Sequence, residues 1–335
     1  MGPFDIPYGG SFQRGKYIRK GNPDTDPWKY IQKIGTLDNL GRIAIKKQLD
    51  TKLSTITSIS LRIRQSLELH EASMNCSELT RPLLLYYSSL NLIRAALLIT
   101  KGDAGKPTHG LSFKANSDLL RCSASISTNG TFPKIIEASG NQHSSYLKKK
   151  EMTLSEMLAQ IPEIYDEYSI IAKQEQIIAS VNVDACFDRD IFLKYEIHTL
   201  SATDFEKRWR ELLPWMSEYC EYAAPYTLRV LRRPNDHDDV SSFCHKHLWR
   251  DLMWRNDATW YDLLNKSEVN LLPRIASHIG ALFILSNISR YEPELLIEVL
   301  KPTDIAFVIT SFLDATERAI PLLAIEIFEG ATYFG

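Results

Sequence analysis

Arg81 to Thr100 reads RPLLLYYSSLNLIRAALLIT, a stretch apolar on almost every helical face, with Pro82 at its start and Gly102 just beyond its end. A helix that is hydrophobic all round belongs in an interior, so this segment predicts a buried rod with other helices around it. Tyr87, Asn91 and Arg94 fall at i, i+4 and i+7 and form one polar stripe on that rod. Buried polar groups must be paired, so the stripe either sets helix register or lines a ligand cleft. The fold expected from this segment outward is mainly α: a helical bundle around a buried central helix, with a small β element in the middle third.

The chain has 335 residues, 44% hydrophobic and 24% charged, with 15 Gly and 15 Pro. Those values are globular averages and exclude collagen-like, low-complexity and wholly disordered classes. Its five cysteines, Cys76, Cys122, Cys186, Cys220 and Cys244, are odd in number, dispersed and never in a CxxC pair. Free thiols in a reducing cytosol are the expectation, and a disulfide scaffold or zinc ribbon is not. The N-terminal stretch lacks the apolar core of a signal peptide, which predicts a cytoplasmic protein. Charged and polar residues interrupt the most apolar stretches, 82–100 and 275–288, so no membrane association is expected.

Residues 1–27 are rich in Gly, Pro and Asp and read as an irregular arm. Residues 28–150 read as a basic helical region with a β-hairpin, the hairpin signalled by Asn129-Gly130 within LLRCSASISTNGTF. Residues 151–335 read as an acidic, mainly helical region packed on the first, with a second β segment within 177–200. Residues 1–150 hold 22 Lys and Arg against 11 Asp and Glu, whereas 151–335 hold 17 against 30. Such a split suits either attraction between packed halves or a basic face for nucleic acid. A protein partner is the first expectation, with nucleic acid at the basic half as its companion.

Several strings invite chemistry. Gly105-Lys106 follows an apolar run, but Thr100 and Pro107 stand where a phosphate loop needs Gly and Ser or Thr, so the segment is a turn that sets His109 at a loop tip. Arg64 and His70 show the Arg-x5-His spacing of the helical HEPN ribonucleases, in which His moves a proton and Arg holds phosphate charge in a dimer cleft. This pair is the catalytic candidate, and a homodimer comes with it; a solvated helix face is the bland alternative. The segment 232–262 gathers His237, Asp238, Cys244, His245 and His247, without the ligand spacing of a known closed metal site, and neither metal nor other cofactor is assigned. Trp249, Trp254 and Trp260, with Arg250 and Arg255 between them, read as a helix anchored by its tryptophans or as a base-stacking platform. Asn287, Arg290, Tyr291 and Glu292 form a polar set near the other apolar helix. If that set faces Tyr87, Asn91 and Arg94, the two define the expected binding pocket.

The segments 81–98, His109-Gly110-Leu111, Asn129-Gly130-Thr131-Phe132, ALFILSNISRYEPELL (281–296) and FLDATERAIPLL (312–323) together resemble the YaaC-like family of bacterial proteins, over roughly residues 28–330. The resemblance implies a cytosolic, mainly helical protein of a family without a settled activity, and it carries over no catalytic residues. By analogy with helical proteins of stress and phage-defence systems, it suggests a binding subunit in such a setting.

Overall fold

The computed structural model describes residues 16–17, 26–49, 52–138, 151–172, 177–185, 191–231, 244, 248–250, 260–264, 272–329 and 333–334. Two compact units emerge, one built from 16–171 with 270–335 and the other containing 172–269. The boundary expected near residue 150 is therefore replaced by an insertion: the chain leaves the first unit after residue 171 and returns to it at 270.

The first unit is mainly helical. It begins with β1 (Lys16–Tyr17), α1 (Pro27–Ile34), α2 (Leu37–Lys46), α3 (Leu53–Met74) and α4 (Arg81–Lys101). It continues through β2 (Leu111–Lys114), β3 (Ser123–Ile126), α5 (Thr131–Ala138), β4 (Glu151–Thr153), α6 (Leu154–Leu158) and α7 (Tyr165–Ile171). The inserted unit holds β5 (Ile178–Ala185), β6 (Ile191–Glu196), α8 (Ala202–Leu212), β7 (Cys220–Ala224), β8 (Thr227–Val230), β9 (Trp249–Arg250) and β10 (Trp260–Leu263). The chain then completes the helical unit with α9 (Arg274–Tyr291), α10 (Pro293–Val299), α11 (Asp304–Glu329) and β11 (Tyr333–Phe334), which pairs in parallel with β1.

Local signals in the sequence explain several helix ends. The Asp26 carboxylate accepts from the amides of Trp28 and Lys29 at 2.9 and 3.2 Å, with Pro27 at the first helical position. Thr153 and Glu156 form a reciprocal capping box on α6, and Ser201 caps α8. Gly102 ends α4 with φ of +70°, a conformation that costs glycine little.

Within the helical unit, α3 and α4 pack through small residues. The Ser66 hydroxyl donates to the Ser88 carbonyl and the Ser88 hydroxyl to the Ser66 carbonyl, each at 2.8 Å. A larger side chain at either position would push the backbones apart and break the reciprocal hydroxyl-to-carbonyl bonds between the two helices. By length and composition α4 could cross a membrane, yet 12 of its residues are buried within the protein. Burial is more continuous still along α9, where every residue from Arg274 to Ile288 is buried.

Two readings of the β structure need correction. Asn129-Gly130 is not a hairpin turn: β3 pairs antiparallel with β2 upstream and β4 downstream, and Gly130 leads directly into α5. A segment expected as a tryptophan-anchored helix instead supplies strands β9 and β10, and β10 joins a six-stranded antiparallel sheet in the order β7-β8-β6-β5-β10-β9. Short aromatic runs fit either a strand or a buried helix by periodicity, and pairing of Trp260 with Val181 decides for the strand. Along β5 and β6, Ala179, Val181, Val183, Ile191, Leu193 and Tyr195 point to one buried face, covered by Phe205, Trp209 and Leu212 of α8.

The charge asymmetry dissolves once the units are known. The helical unit carries 25 Lys and Arg against 23 Asp and Glu, and residues 172–269 carry 13 against 17. Basic N-terminal helices and acidic C-terminal ones belong to the same unit, where Arg81 pairs with Asp314 at 2.7 Å and Glu317 at 3.6 Å.

Candidate functional site

Arg64 and His70 lie on α3, about 120° apart around the helix axis. The Arg64 guanidinium is exposed and pairs with Glu68 one turn on, at 3.0 Å. His70 instead stacks on Trp28 with ring centroids 3.9 Å apart, and its Nε2 lies 3.9 Å from a Glu317 carboxylate oxygen. The chain does not assemble them into one cleft, because helical geometry turns a six-residue spacing away from itself. Replacing Arg64 with Ala is expected to leave the urea unfolding midpoint unchanged, since an exposed i, i+4 pair is screened by water and salt.

The other polar set does come together, around α4. Arg290 of α9 donates from Nη1 to the Tyr87 hydroxyl at 3.3 Å and from Nη2 to the Asn287 Oδ1 at 3.1 Å. Its guanidinium carbon lies 5.9 Å from the Tyr87 ring centroid and 4.9 Å from that of Tyr291, which is exposed. One turn along α4, Asn91 accepts at Oδ1 from Arg62 of α3 at 3.3 Å. Arg62 is the member that sequence reasoning missed, because on its own helix it looks like any solvated base. Only the α3–α4 packing brings it to the stripe.

Arg94 forms the buried floor of the set. Its Nη1 donates to the Lys106 carbonyl at 3.0 Å and to the Thr131 hydroxyl, holding the segment after α4 against the start of α5. Glycine backbones make that approach feasible. Gly110 and Gly130 have φ of +76° and +120°, and a Cβ on Gly130 would lie 2.6 Å from the Gly110 backbone. The first amides of α5 have no partner within the helix and donate to this loop instead: Thr131 to the Thr108 carbonyl and Phe132 to the His109 carbonyl, each at 3.0 Å.

His109 is thereby carried inward instead of standing at a loop tip. Its ring lies against Tyr86, Tyr87 and Phe283, and its Nδ1 is 2.7 Å from the Tyr86 hydroxyl. Burial, with the charges of Arg290 and Arg94 behind it, lowers the His109 pKa below its ordinary value, so the neutral imidazole prevails at neutral pH. Burial likewise raises the Tyr86 pKa and keeps its hydroxyl protonated. With Tyr86 as donor, Nδ1 is the acceptor and the ring proton sits on Nε2.

The electrostatics of the cluster are one-sided. Burial, and then Arg62, lower the Arg94 pKa, and Asp103 acts in the opposite direction. Asp103 itself is held by Lys134 at 3.1 Å and by the Gly105 amide at 2.7 Å. Among the described residues, no carboxylate pairs with Arg62, Arg94 or Arg290. Buried or half-buried guanidinium groups without a counter-charge repel one another and favour a bound anion.

A contrasting cluster lies in the same unit. Glu163 is fully buried and pairs with Arg274, and its second carboxylate oxygen is 3.4 Å from His278 Nε2. His278 Nδ1 is 2.8 Å from the Thr316 hydroxyl. Balanced charge and complete burial make this a pin among α9, α11 and the turn at 162–164, not a site that meets solvent.

The other sequence candidates fare unevenly. Trp260 is buried in β10, which removes it from any exposed stacking platform, and Trp254, Arg255, His237, Asp238, His245 and His247 lie outside the described residues. Cys76, Cys122, Cys220 and Cys244 are free thiols, and Cys186 lies outside the described residues. Among the described residues, no group of three or more His, Cys, Asp or Glu is placed to hold a metal ion.

Comparison with known proteins agrees with the sequence resemblance. A family model described as YaaC-like Protein matches residues 32–328. No curated protein and no solved structure matches.

Proposed function

We propose a function from one premise: this chain belongs to the YaaC-like protein family. On that premise it is a non-catalytic binding subunit that takes an anionic partner, nucleic acid, at the cluster around α4. The carrying observation is the convergence of Arg62, Arg94 and Arg290 without a carboxylate partner among the described residues. Arginine is suited to such a role because its planar fork matches phosphate oxygens and keeps its charge at any physiological pH. In this reading α4 is the axial helix of the helical unit, and the setting is a prokaryotic stress or defence system in the cytoplasm, as the family resemblance suggests.

The ribonuclease reading is less favoured, since Arg64 and His70 lie apart within the chain. A protein partner is the competing binding mode. Fluorescence anisotropy with a labelled single-stranded RNA, the DNA of the same sequence and a duplex, at 50 and 200 mM salt, separates the readings. Expected are binding that weakens as salt rises and a loss of about 10- to 100-fold in the Arg290→Gln variant, the size of a charged hydrogen bond. No affinity for any of the three, or equal affinity in wild type and variant, would overturn the assignment. Stable recovery of a protein with no nucleic acid would do so too.

A further inference from the structure

We infer that the cluster of Arg62, Arg94, Arg290 and His109 recognises a phosphate monoester, the terminal phosphate of a strand or of a nucleotide, in preference to an internal phosphodiester. This deepens the nucleic-acid reading above and rests on it.

Charge is the first argument. Three guanidinium groups from three helices lie along one polar stripe of α4: Arg290 of α9 at Tyr87, Arg62 of α3 at Asn91, and Arg94 of α4 itself. One nearby carboxylate, Asp103, is already engaged by Lys134, and Glu292, two residues beyond Arg290, forms no ion pair with the three arginines among the described residues. A phosphodiester brings a single negative charge and leaves most of that field unbalanced. A monoester brings about −1.5 to −2 at neutral pH and three terminal oxygens, so it matches both the charge and the number of forks.

Donor supply is the second. The Arg62 Nε is buried and has no hydrogen-bond partner, so part of the fork facing Asn91 is unused. Arg290 spends its donors on neutral acceptors, the Tyr87 hydroxyl, the Asn287 side-chain carbonyl and the Ser286 backbone carbonyl, at 3.1 to 3.3 Å. Those long contacts are weaker than a charge-assisted bond to phosphate and give way to one. When neutral, His109 adds a donor without adding charge.

Depth is the third. Arg94 is buried, whereas Arg62, Tyr87, Asn91, His109 and Arg290 are half-buried, so the charges lie below the outer surface of the helices. A chain end can reach such a point, while an internal phosphate requires the strand to continue on both sides of it. Beside the arginines the exposed Tyr291 ring, with Arg290 over it, offers a face on which the adjoining base stacks.

The test uses the full chain and isothermal titration with four probes: a 10-nucleotide RNA with a 5′-phosphate, the same RNA with a 5′-hydroxyl, adenosine monophosphate and inorganic phosphate. The expected result is affinity for the 5′-phosphorylated strand at least 10-fold above that for the 5′-hydroxyl strand. That preference should vanish in Arg62→Gln and in Arg290→Gln. Circular dichroism melting reports whether each variant folds, and Arg64→Gln, an exposed change two residues along α3, should keep the preference. Equal affinity for the two strands overturns the monoester inference and leaves the nucleic-acid reading standing. Binding of adenosine monophosphate and phosphate without either strand supports the monoester site and overturns the nucleic-acid reading. Silence from all four probes overturns both.

Discussion

Changing Glu163 to Gln is expected to destabilise the helical unit by about 3–5 kcal/mol, the largest effect foreseen for any polar substitution in it. The carboxylate is fully buried and offsets the charge of Arg274, so its loss leaves a buried guanidinium without a counter-ion. Burial alone would raise the Glu163 pKa, but Arg274 and His278 outweigh it and bring the pKa down from 4.5 to about 2. Because the folded value is depressed, the stabilisation is fully present above pH 4.5 and is lost as the pH falls toward 2. A shift of that size corresponds to about 3 kcal/mol. Urea unfolding at pH 7 and pH 3 should therefore show wild type losing stability between the two pH values, while Glu163→Gln starts lower and changes less. Replacing Glu163, Arg274 and His278 together by apolar residues of similar volume should recover most of the loss, since the desolvation cost disappears with the charges. A Glu163→Gln protein as stable as wild type at pH 7 would contradict the assignment of the pin.

Gly130→Ala is the second large effect, expected at about 3–5 kcal/mol from positive-φ strain and overpacking together. The new Cβ would lie 2.6 Å from the Gly110 Cα and nitrogen and 2.9 Å from the Thr108 hydroxyl oxygen. Backbone cannot rotate out of the way as a flexible side chain can, so the loop carrying His109 must move off the start of α5. That motion breaks the amide contacts from Thr131 and Phe132 and withdraws the carbonyls that hold Arg94. The variant should thus lose anion affinity as well as thermal stability. Gly102→Ala, at a positive φ with open space around it, should cost only the backbone strain, on the order of 1 kcal/mol. Comparable melting temperatures for the two variants would show that the Gly110–Gly130 approach is not a constraint.

How far the site was legible depends on which residues carry it. Tyr87, Asn91 and Arg94 stand out because a polar stripe on an apolar rod is improbable without a purpose, and helical periodicity puts them on one face. Asn287, Arg290 and Tyr291 stand out for the same reason on α9. Arg62 does not, being one of two arginines on a mixed helix. The Arg64 and His70 spacing looked informative as a string and proved not to converge, since a string match carries no direction and the helix supplies one.

The fold divides in a similar way. Long apolar helices, the caps that Asp26, Thr153 and Ser201 give to shorter helices, and the Gly102 stop are local properties: they follow from side-chain burial, amide satisfaction and backbone sterics within a few residues, and the sequence by itself determined them. Register in the six-stranded sheet, the turn of Asn129-Gly130 into a helix start, and the return of the chain at residue 270 to complete the helical unit depend on partners distant in sequence. The same is true of the charge pattern, whose basic N-terminal helices and acidic C-terminal ones belong to one unit, and of the arginine cluster, in which α9 from the far end of the chain joins the consecutive helices α3 and α4. Only the tertiary structure decided these, because the free energy that selects them is gained when remote surfaces meet and is invisible in any local window.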